Sequence, residues 1–227
     1  INLLIFSMFS VLFPGQGSQS VGMGKKLYEN FDYVKSIFEK ADDILKKPIS
    51  KIILEGPKED LDLTENTQPA IFLASYSIFE MIKKEKDIKL ENAKYFAGHS
   101  LGEYSALATS GSLDFKNAIK LLNERGKAMQ TAVPKGTGGM VAVLGADIKE
   151  INNLLEENQN NYKCYIANDN SNGQIVLSGL NSDLDKFIDI LKSKKNIKMR
   201  FCFSGWVTFM RLLTMMQKFY LKNYKLH

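Results

Sequence analysis

Histidine, cysteine and arginine are scarce in this chain, and each scarcity excludes something. The two cysteines, Cys164 and Cys202, lie far apart, with no CxxC pair and no histidine cluster near them. That excludes a disulfide framework and a zinc site, and leaves a reducing compartment as the default. No apolar run approaches the roughly 20 residues that a membrane helix needs. The apolar opening, residues 1–13, is broken by Asn2, Ser7 and Ser10 and stops at Pro14, so it reads as a buried strand with leftover residues before it. Ile1 in place of Met leaves room for upstream sequence, a targeting segment included. Of the 30 basic residues only Arg125, Arg200 and Arg211 are arginine. The formal charge of +5 is spread along the chain with no arginine stripe or interleaved aromatics, which speaks against a nucleic-acid partner. Only His99 and His227 supply imidazole.

What is present fits a folded protein with one large core or two domains: 44% hydrophobic and 24% charged residues over 227 positions exclude a disordered tail. Val11 to Phe13 form a short core strand that breaks at Pro14-Gly15-Gln16-Gly17. The pattern predicts helices over residues 24–46 and 68–84, the second with Pro69 in its first turn and Ile71, Leu73, Ala74, Ile78 and Phe79 at helical spacing. Lys94 to Gly98 read as a strand entering a glycine-flanked turn, followed by helix through Leu107 and a further helix over residues 115–131. Beyond Val133-Pro134-Lys135-Gly136 the texture changes. Strands are predicted at residues 139–144, 162–168 and 174–178, with helices at 148–159 and 182–194 between them. This βαββα order suits a small, partly antiparallel α+β subdomain.

The chemistry-bearing segment is Gly98-His99-Ser100-Leu101-Gly102. Glycine on both flanks permits the crowded backbone of a nucleophile elbow, which lifts a serine hydroxyl above the sheet at the start of a helix. The Leu101 amide then faces the place where an oxyanion develops, helped by the helix dipole. A glycine-bracketed serine is also commonly just a turn. Here, however, a strand precedes it, a helix follows, and the turn Pro14-Gly15-Gln16-Gly17-Ser18-Gln19 ends another predicted strand. That turn is either a plain strand-to-helix loop or, beside the elbow, the source of a second oxyanion donor, since adjacent strand ends in an open α/β sheet bring such loops together.

Four ordered motifs carry a resemblance: Phe13-Pro14-Gly15-Gln16-Gly17-Ser18-Gln19, Gly98-His99-Ser100-Leu101-Gly102-Glu103-Tyr104, Arg125-Gly126 and Met129-Gln130. From about Val11 to Ser204 the chain resembles the malonyl-CoA:acyl carrier protein transacylases of type II fatty acid synthesis. The resemblance implies an α/β fold, with a parallel-sheet, hydrolase-like large domain over residues 1–133 and a small ferredoxin-like α+β subdomain over 134–200. It implies ping-pong transfer of malonyl from malonyl-CoA to Ser100 and on to the phosphopantetheine thiol of acyl carrier protein. It further implies backbone oxyanion donors at Gln16 and Leu101, and a grip by Arg125 on the free malonyl carboxylate. A guanidinium can bind a carboxylate through two parallel hydrogen bonds, which lysine cannot. The alternative reading of Arg125 is an ordinary helix-surface arginine. Asn168 and Asn170 match an asparagine-bearing loop bordering the family's active-site gorge, or serve turn chemistry alone. A monomer is implied, and no metal or nucleotide cofactor, since neither ligand clusters nor a P-loop occur. A role in fatty acid synthesis would place the chain in a plastid-type organelle or the cytoplasm.

The chain departs from the family at its end. A serine hydroxyl needs a base, normally histidine. His99 adjoins Ser100, and neighbouring side chains at such a turn project differently, so it reads as packing or hydrogen-bonding within the elbow; His227 is the last residue. The family's histidine follows a Ser-Gly pair, whereas here Ser204-Gly205 continue as Trp206-Val207-Thr208-Phe209-Met210. Residues 201–227 therefore read as an aberrant or truncated return to the large domain, through a frame error or mispredicted exon, and low transacylase activity is expected of the chain as written. The tail could instead form a basic amphipathic helix. Two other functions fit the motifs: a serine esterase or thioesterase with water as acceptor, and a non-catalytic protein that binds acidic acyl carrier protein through its lysine-rich surface.

Overall fold

The computed structural model describes residues 9–86, 88–132, 136–193 and the backbone of 198–202. Readings that fall on residues 1–8, 133–135, 194–197 and 203–227, including the tail, lie outside the described residues. The chain divides into two compact units between Lys127 and Ala128. The sequence pattern put the boundary near Val133, where a glycine- and proline-marked break ends a helix; the packing changes partners inside that helix instead.

In the first unit, β1 (Ser10–Phe13) and β2 (Tyr95–Gly98) form a two-stranded parallel sheet, with Ser10 opposite Tyr95 and Phe13 opposite Gly98. Between them run α1 (Lys25–Asn30), α2 (Asp32–Leu45), α3 (Ile49–Glu55), α4 (Lys58–Leu61) and α5 (Thr64–Glu85), and after them α6 (Gly102–Thr109) and α7 (Phe115–Thr131). Two expectations are corrected. The single helix over 24–46 is broken at Phe31, whose backbone is extended at φ −133° and ψ 109°. The helix expected from Gln68 begins at Thr64, so Pro69 lies one turn inside it, where its missing N–H forgoes a bond to the Glu65 carbonyl.

Val34, Phe38, Ile49, Ile53, Leu61, Phe72, Leu73, Ile119 and Leu122, from five of these helices, form one core with Leu101 of the elbow. A smaller cluster seats Phe13 with Phe79, Leu90 and Ala106, flanked by Val11 and Phe96. That cluster covers one face of the sheet. The other face carries Leu12, 74% exposed, and Tyr95, 60% exposed, so β1 is not the fully buried strand its apolar run suggests. An uninterrupted apolar run is the mark of a parallel strand covered on both faces; among the described residues only one is covered.

The second unit follows a βαββαβ order: β3 (Gly138–Leu144), α8 (Ile148–Asn158), β4 (Cys164–Ser171), β5 (Gln174–Leu180), α9 (Asn181–Lys192) and β6 (Lys198–Cys202). The strands pair antiparallel in the order β4-β5-β3-β6, the ferredoxin-like arrangement. Ile151 and Leu154 of α8 and Leu184, Phe187 and Leu191 of α9 pack on Val143, Ile175 and Leu177 of the sheet. Both helices are strongly amphipathic, which is why their limits were legible in sequence. β6 extends the predicted order by one strand. Among the described residues no helix is long and apolar enough to cross a membrane.

Candidate active site

The parallel register sets the site. With Phe13 opposite Gly98, the loops leaving both strands start side by side, and the His99 amide extends the ladder by donating to the Phe13 carbonyl at 3.1 Å. The chain then turns sharply. Gly102 and Glu103 donate to the carbonyls of His99 and Ser100 at 2.9 and 3.2 Å, which opens α6 three residues after the strand. The Leu101 amide precedes this ladder, as the first amides of a helix do. Leu101 itself is fully buried and anchors the turn in the core.

The tightness of the turn explains both glycines. A Cβ at Gly98 would stand 2.0 Å from the Gly102 carbonyl carbon, and one at Gly102 would stand 2.6 Å from the Phe13 oxygen and 2.7 Å from the Pro14 oxygen. Neither space admits a carbon. Ser100 sits at φ +55°, in the left-handed region that side chains avoid. The other described non-glycine residue there is Lys46, at the end of α2, where such a conformation is ordinary. A strained serine held between two obligatory glycines is the geometry of a nucleophile elbow.

The loop after β1 lies against this elbow. A Cβ on Gly15 would meet His99 Nδ1 at 2.6 Å and the His99 carbonyl at 3.0 Å. His99 is exposed to solvent and packs its ring along the Gly15 backbone. The loop is pinned by Ser18 Oγ donating to the Gly15 carbonyl (2.8 Å), the Gly17 amide to Gln19 Oε1 (2.8 Å) and Gln19 Nε2 to Asp62 Oδ1 (3.0 Å). The Gln19 contact, followed by Lys58, holds the Asp62 carboxyl below its usual range. Gln16 turns its side chain toward the start of α5, with Nε2 3.5 Å from Thr64 Oγ1 and a buried Oε1 that has no hydrogen-bond partner among the described residues.

Arg125 corrects the helix-surface alternative. It is 8% exposed, reached through α7 packing so closely that a Cβ on Gly126 would stand 2.6 Å from the Thr64 oxygen and from Glu65 Cα. Its Nη2 donates to Ser100 Oγ at 3.0 Å and its Nη1 to Gln68 Oε1 at 2.6 Å. Gln68 is fully buried in α5. Burial lowers the Arg125 pKa, opposed by the charges of Tyr104 and Glu103. Its hydrogen-bond partners among the described residues are thus a neutral amide and a hydroxyl. They take one proton from each terminal nitrogen, leaving Nε–H and a second proton on each terminal nitrogen for a ligand. Sequence reading found Ser100 and Arg125 but missed Gln68, which it treated only as a helix start.

Asn168 and Asn170 lie in the second unit, in the C-terminal half of strand β4 rather than in a loop. The β4–β5 register steps past Ala167 and past Asn170, and Asn168 Nδ2 approaches Asn170 Oδ1 at 3.5 Å. Among the described residues no group of three or more histidine, cysteine, aspartate or glutamate side chains could hold a metal ion.

The family description of the acyl transferase domain matches residues 10–201. Malonyl CoA-acyl carrier protein transacylase of Bacillus subtilis strain 168 is 45% identical over 176 residues, covering 76% of this chain and 54% of its own length. The Haemophilus influenzae protein of the same name is 42% identical over 184 residues, covering 81% and 58%. The chain thus spans about half the length of these curated relatives. Among solved structures, the malonyl CoA-acyl carrier protein transacylase from Clostridium perfringens superposes with a TM-score of 0.85 at 32% identity, covering 97% of this chain and 69% of that one. A malonyl-transacylase in complex with its type II polyketide acyl-carrier protein gives 0.86 at 34%, covering 96% and 71%.

Proposed function

The chain belongs to the acyl transferase domain family, and from that premise we propose that it moves a malonyl group from malonyl-CoA to the phosphopantetheine thiol of acyl carrier protein. Ser100 Oγ attacks the thioester carbonyl, the C–S bond breaks, and coenzyme A leaves as its thiol. The carrier thiol then attacks the Ser100 ester, the C–O bond breaks, and the serine regains its proton. The amides of Leu101 and Gln16 receive the oxyanion of each tetrahedral intermediate.

The observation that carries this reading is the buried guanidinium 3.0 Å from Ser100 Oγ, with no carboxylate among its hydrogen-bond partners in the described residues. A cation so placed suits an acyl group with a second carboxylate close to its reacting carbonyl, and malonyl has a single methylene between the two. A serine esterase would use the same elbow, but it gives Arg125 nothing to hold. The proton from Ser100 needs a base; the sequence holds two histidines, His99 beside the nucleophile and His227, which lies outside the described residues.

The test is a transfer assay from malonyl-CoA and from acetyl-CoA to holo acyl carrier protein. Arg125→Ala is expected to erase the preference for malonyl by lowering malonyl transfer about 100-fold while sparing acetyl. Equal losses on both donors would remove the carboxylate clamp from the account.

A further inference from the structure

Buried arginines are normally paired with a carboxylate, because an unpaired charge out of water is costly. Arg125 breaks that pattern. In the place nearest its Nη1 stands Gln68, an amide of the same size and reach as glutamate, fully buried and bonded at 2.6 Å. The difference between the two side chains is one charge. Glutamate at that point would give Arg125 an internal partner, and any incoming carboxylate would have to compete with it. Glutamine satisfies one N–H, fixes the guanidinium plane and leaves the charge standing.

Position 68 is also held firmly. It sits in the second turn of α5 beside buried Asn66 and Thr67, with Thr67 Oγ1 bonded to the Leu61 carbonyl and Asn66 Nδ2 to the Asp60 carbonyl, at 2.6 and 2.8 Å. The close seating of Gly126 on Thr64 and Glu65 fixes α7 against the preceding turn. The guanidinium is therefore aimed from both ends, by α7 behind it and by Gln68 beside it.

We propose that Gln68 is a specificity-determining positioning residue: its neutral amide orients Arg125 beside Ser100 without neutralising it, so that carboxylate-bearing acyl groups are preferred over uncharged ones. The inference rests on the carboxylate-clamp reading of Arg125 given above.

The experiment measures binding of malonyl-CoA and acetyl-CoA to the full chain by calorimetry, so that it does not depend on turnover. It compares the unsubstituted chain with Arg125→Ala, Gln68→Glu and Gln68→Met, with the thermal midpoint of each. Gln68→Glu is expected to weaken malonyl-CoA about tenfold or more and acetyl-CoA less than about twofold, with an unchanged or raised midpoint, because an internal ion pair replaces the one with substrate. Gln68→Met, which keeps the volume and the free charge but loses the acceptor, is expected to lower the malonyl preference by a smaller factor, about threefold. If Gln68→Glu does not fold, the methionine variant alone decides: a lowered preference supports the inference and an unchanged one overturns it. Equal weakening of both ligands by Gln68→Glu also overturns it. If Arg125→Ala itself leaves the preference intact, the clamp reading fails; if Arg125→Ala removes the preference and both Gln68 variants retain it, only the role of Gln68 fails.

Discussion

The two units solve different problems with the same chain. Among the described residues the first buries eight polar or charged side chains, Thr64, Asn66, Thr67, Gln68, Ser77, Ser105, Asn123 and Arg125, and the second buries Ser178. The first holds Ser100 in a left-handed conformation, while the second reserves positive φ for Gly136, Gly145 and Gly173. The second unit follows its local preferences more closely: its two helices are amphipathic, and Asp147 caps α8 with its side chain accepting from the Lys149 amide. The first sets several aside, and strain and desolvated polar groups persist only where the surrounding structure enforces them. The contrast separates a unit shaped by chemistry from one shaped by packing.

Adding one carbon is the most direct way to break this comparison. Gly102→Ala, which drives a Cβ into the backbone of Phe13 and Pro14, is expected to cost about 3 kcal/mol or more of unfolding free energy by urea titration. Gly136→Ala, at φ +85° with nothing within 4 Å, is expected to cost about 1 kcal/mol, the penalty of the left-handed backbone alone. Comparable losses would mean that the elbow is no tighter than an ordinary turn.

Removing the buried charge sharpens the contrast. Arg125→Met is expected to leave the thermal midpoint unchanged or to raise the unfolding free energy by about 1 kcal/mol, because methionine needs no hydration and fills similar volume. Malonyl transfer should fall in the same variant. A stability loss accompanied by full transfer would invert the assignment of this unit to chemistry.

In the second unit the corresponding group is Cys164, buried in the sheet core, whose thiol is pushed up to about 12 by burial and then by Asp183. The folded value lies above the ordinary 9.0, so its contribution to stability is complete below pH 9 and declines as pH rises from there toward 12. At pH 8 an alkylating reagent is expected to spare Cys164 in the folded chain and to label it in urea, as read by peptide mass spectrometry. Rapid native labelling would show the second core to be open.

The smallest effect belongs to the surface of the first unit. Asp62 links Gln19 of the loop after β1 and Lys58, but it is well exposed, so Asp62→Asn is expected to cost under about 0.5 kcal/mol at pH 7. Its folded pKa is depressed, so that contribution is present above pH 3.8 and disappears as pH falls through the folded value. A larger loss would make the loop's anchor part of the core.

How much of this was legible in the sequence follows the same division. In the second unit, period and turn residues specified β3, α8, β4, β5 and α9 in order, because local preference and tertiary structure agree there. In the first, α7 was delimited residue for residue and the elbow was located, because Gly98 and Gly102 are demanded by the backbone itself. The break at Phe31 was invisible: no glycine or proline marks it, and the extended residue is an ordinary phenylalanine between two helical segments. The short helices α3 and α4 carry too few residues to show a period. Gln68 was missed because a polar residue beside a proline reads as a helix start, and only the approach of α7, 57 residues away, gives it a partner. Arg125 was singled out by its rarity in a lysine-rich chain, yet nothing local to it announces burial.

The most direct test is intact-protein and peptide mass spectrometry after prolonged incubation with malonyl-CoA, with acetyl-CoA in parallel. The account predicts one malonyl adduct on the peptide holding Ser100, discharged by holo acyl carrier protein, absent in Ser100→Ala, and formed more readily than the acetyl adduct. An adduct on another residue, or equal labelling by both donors, would contradict it.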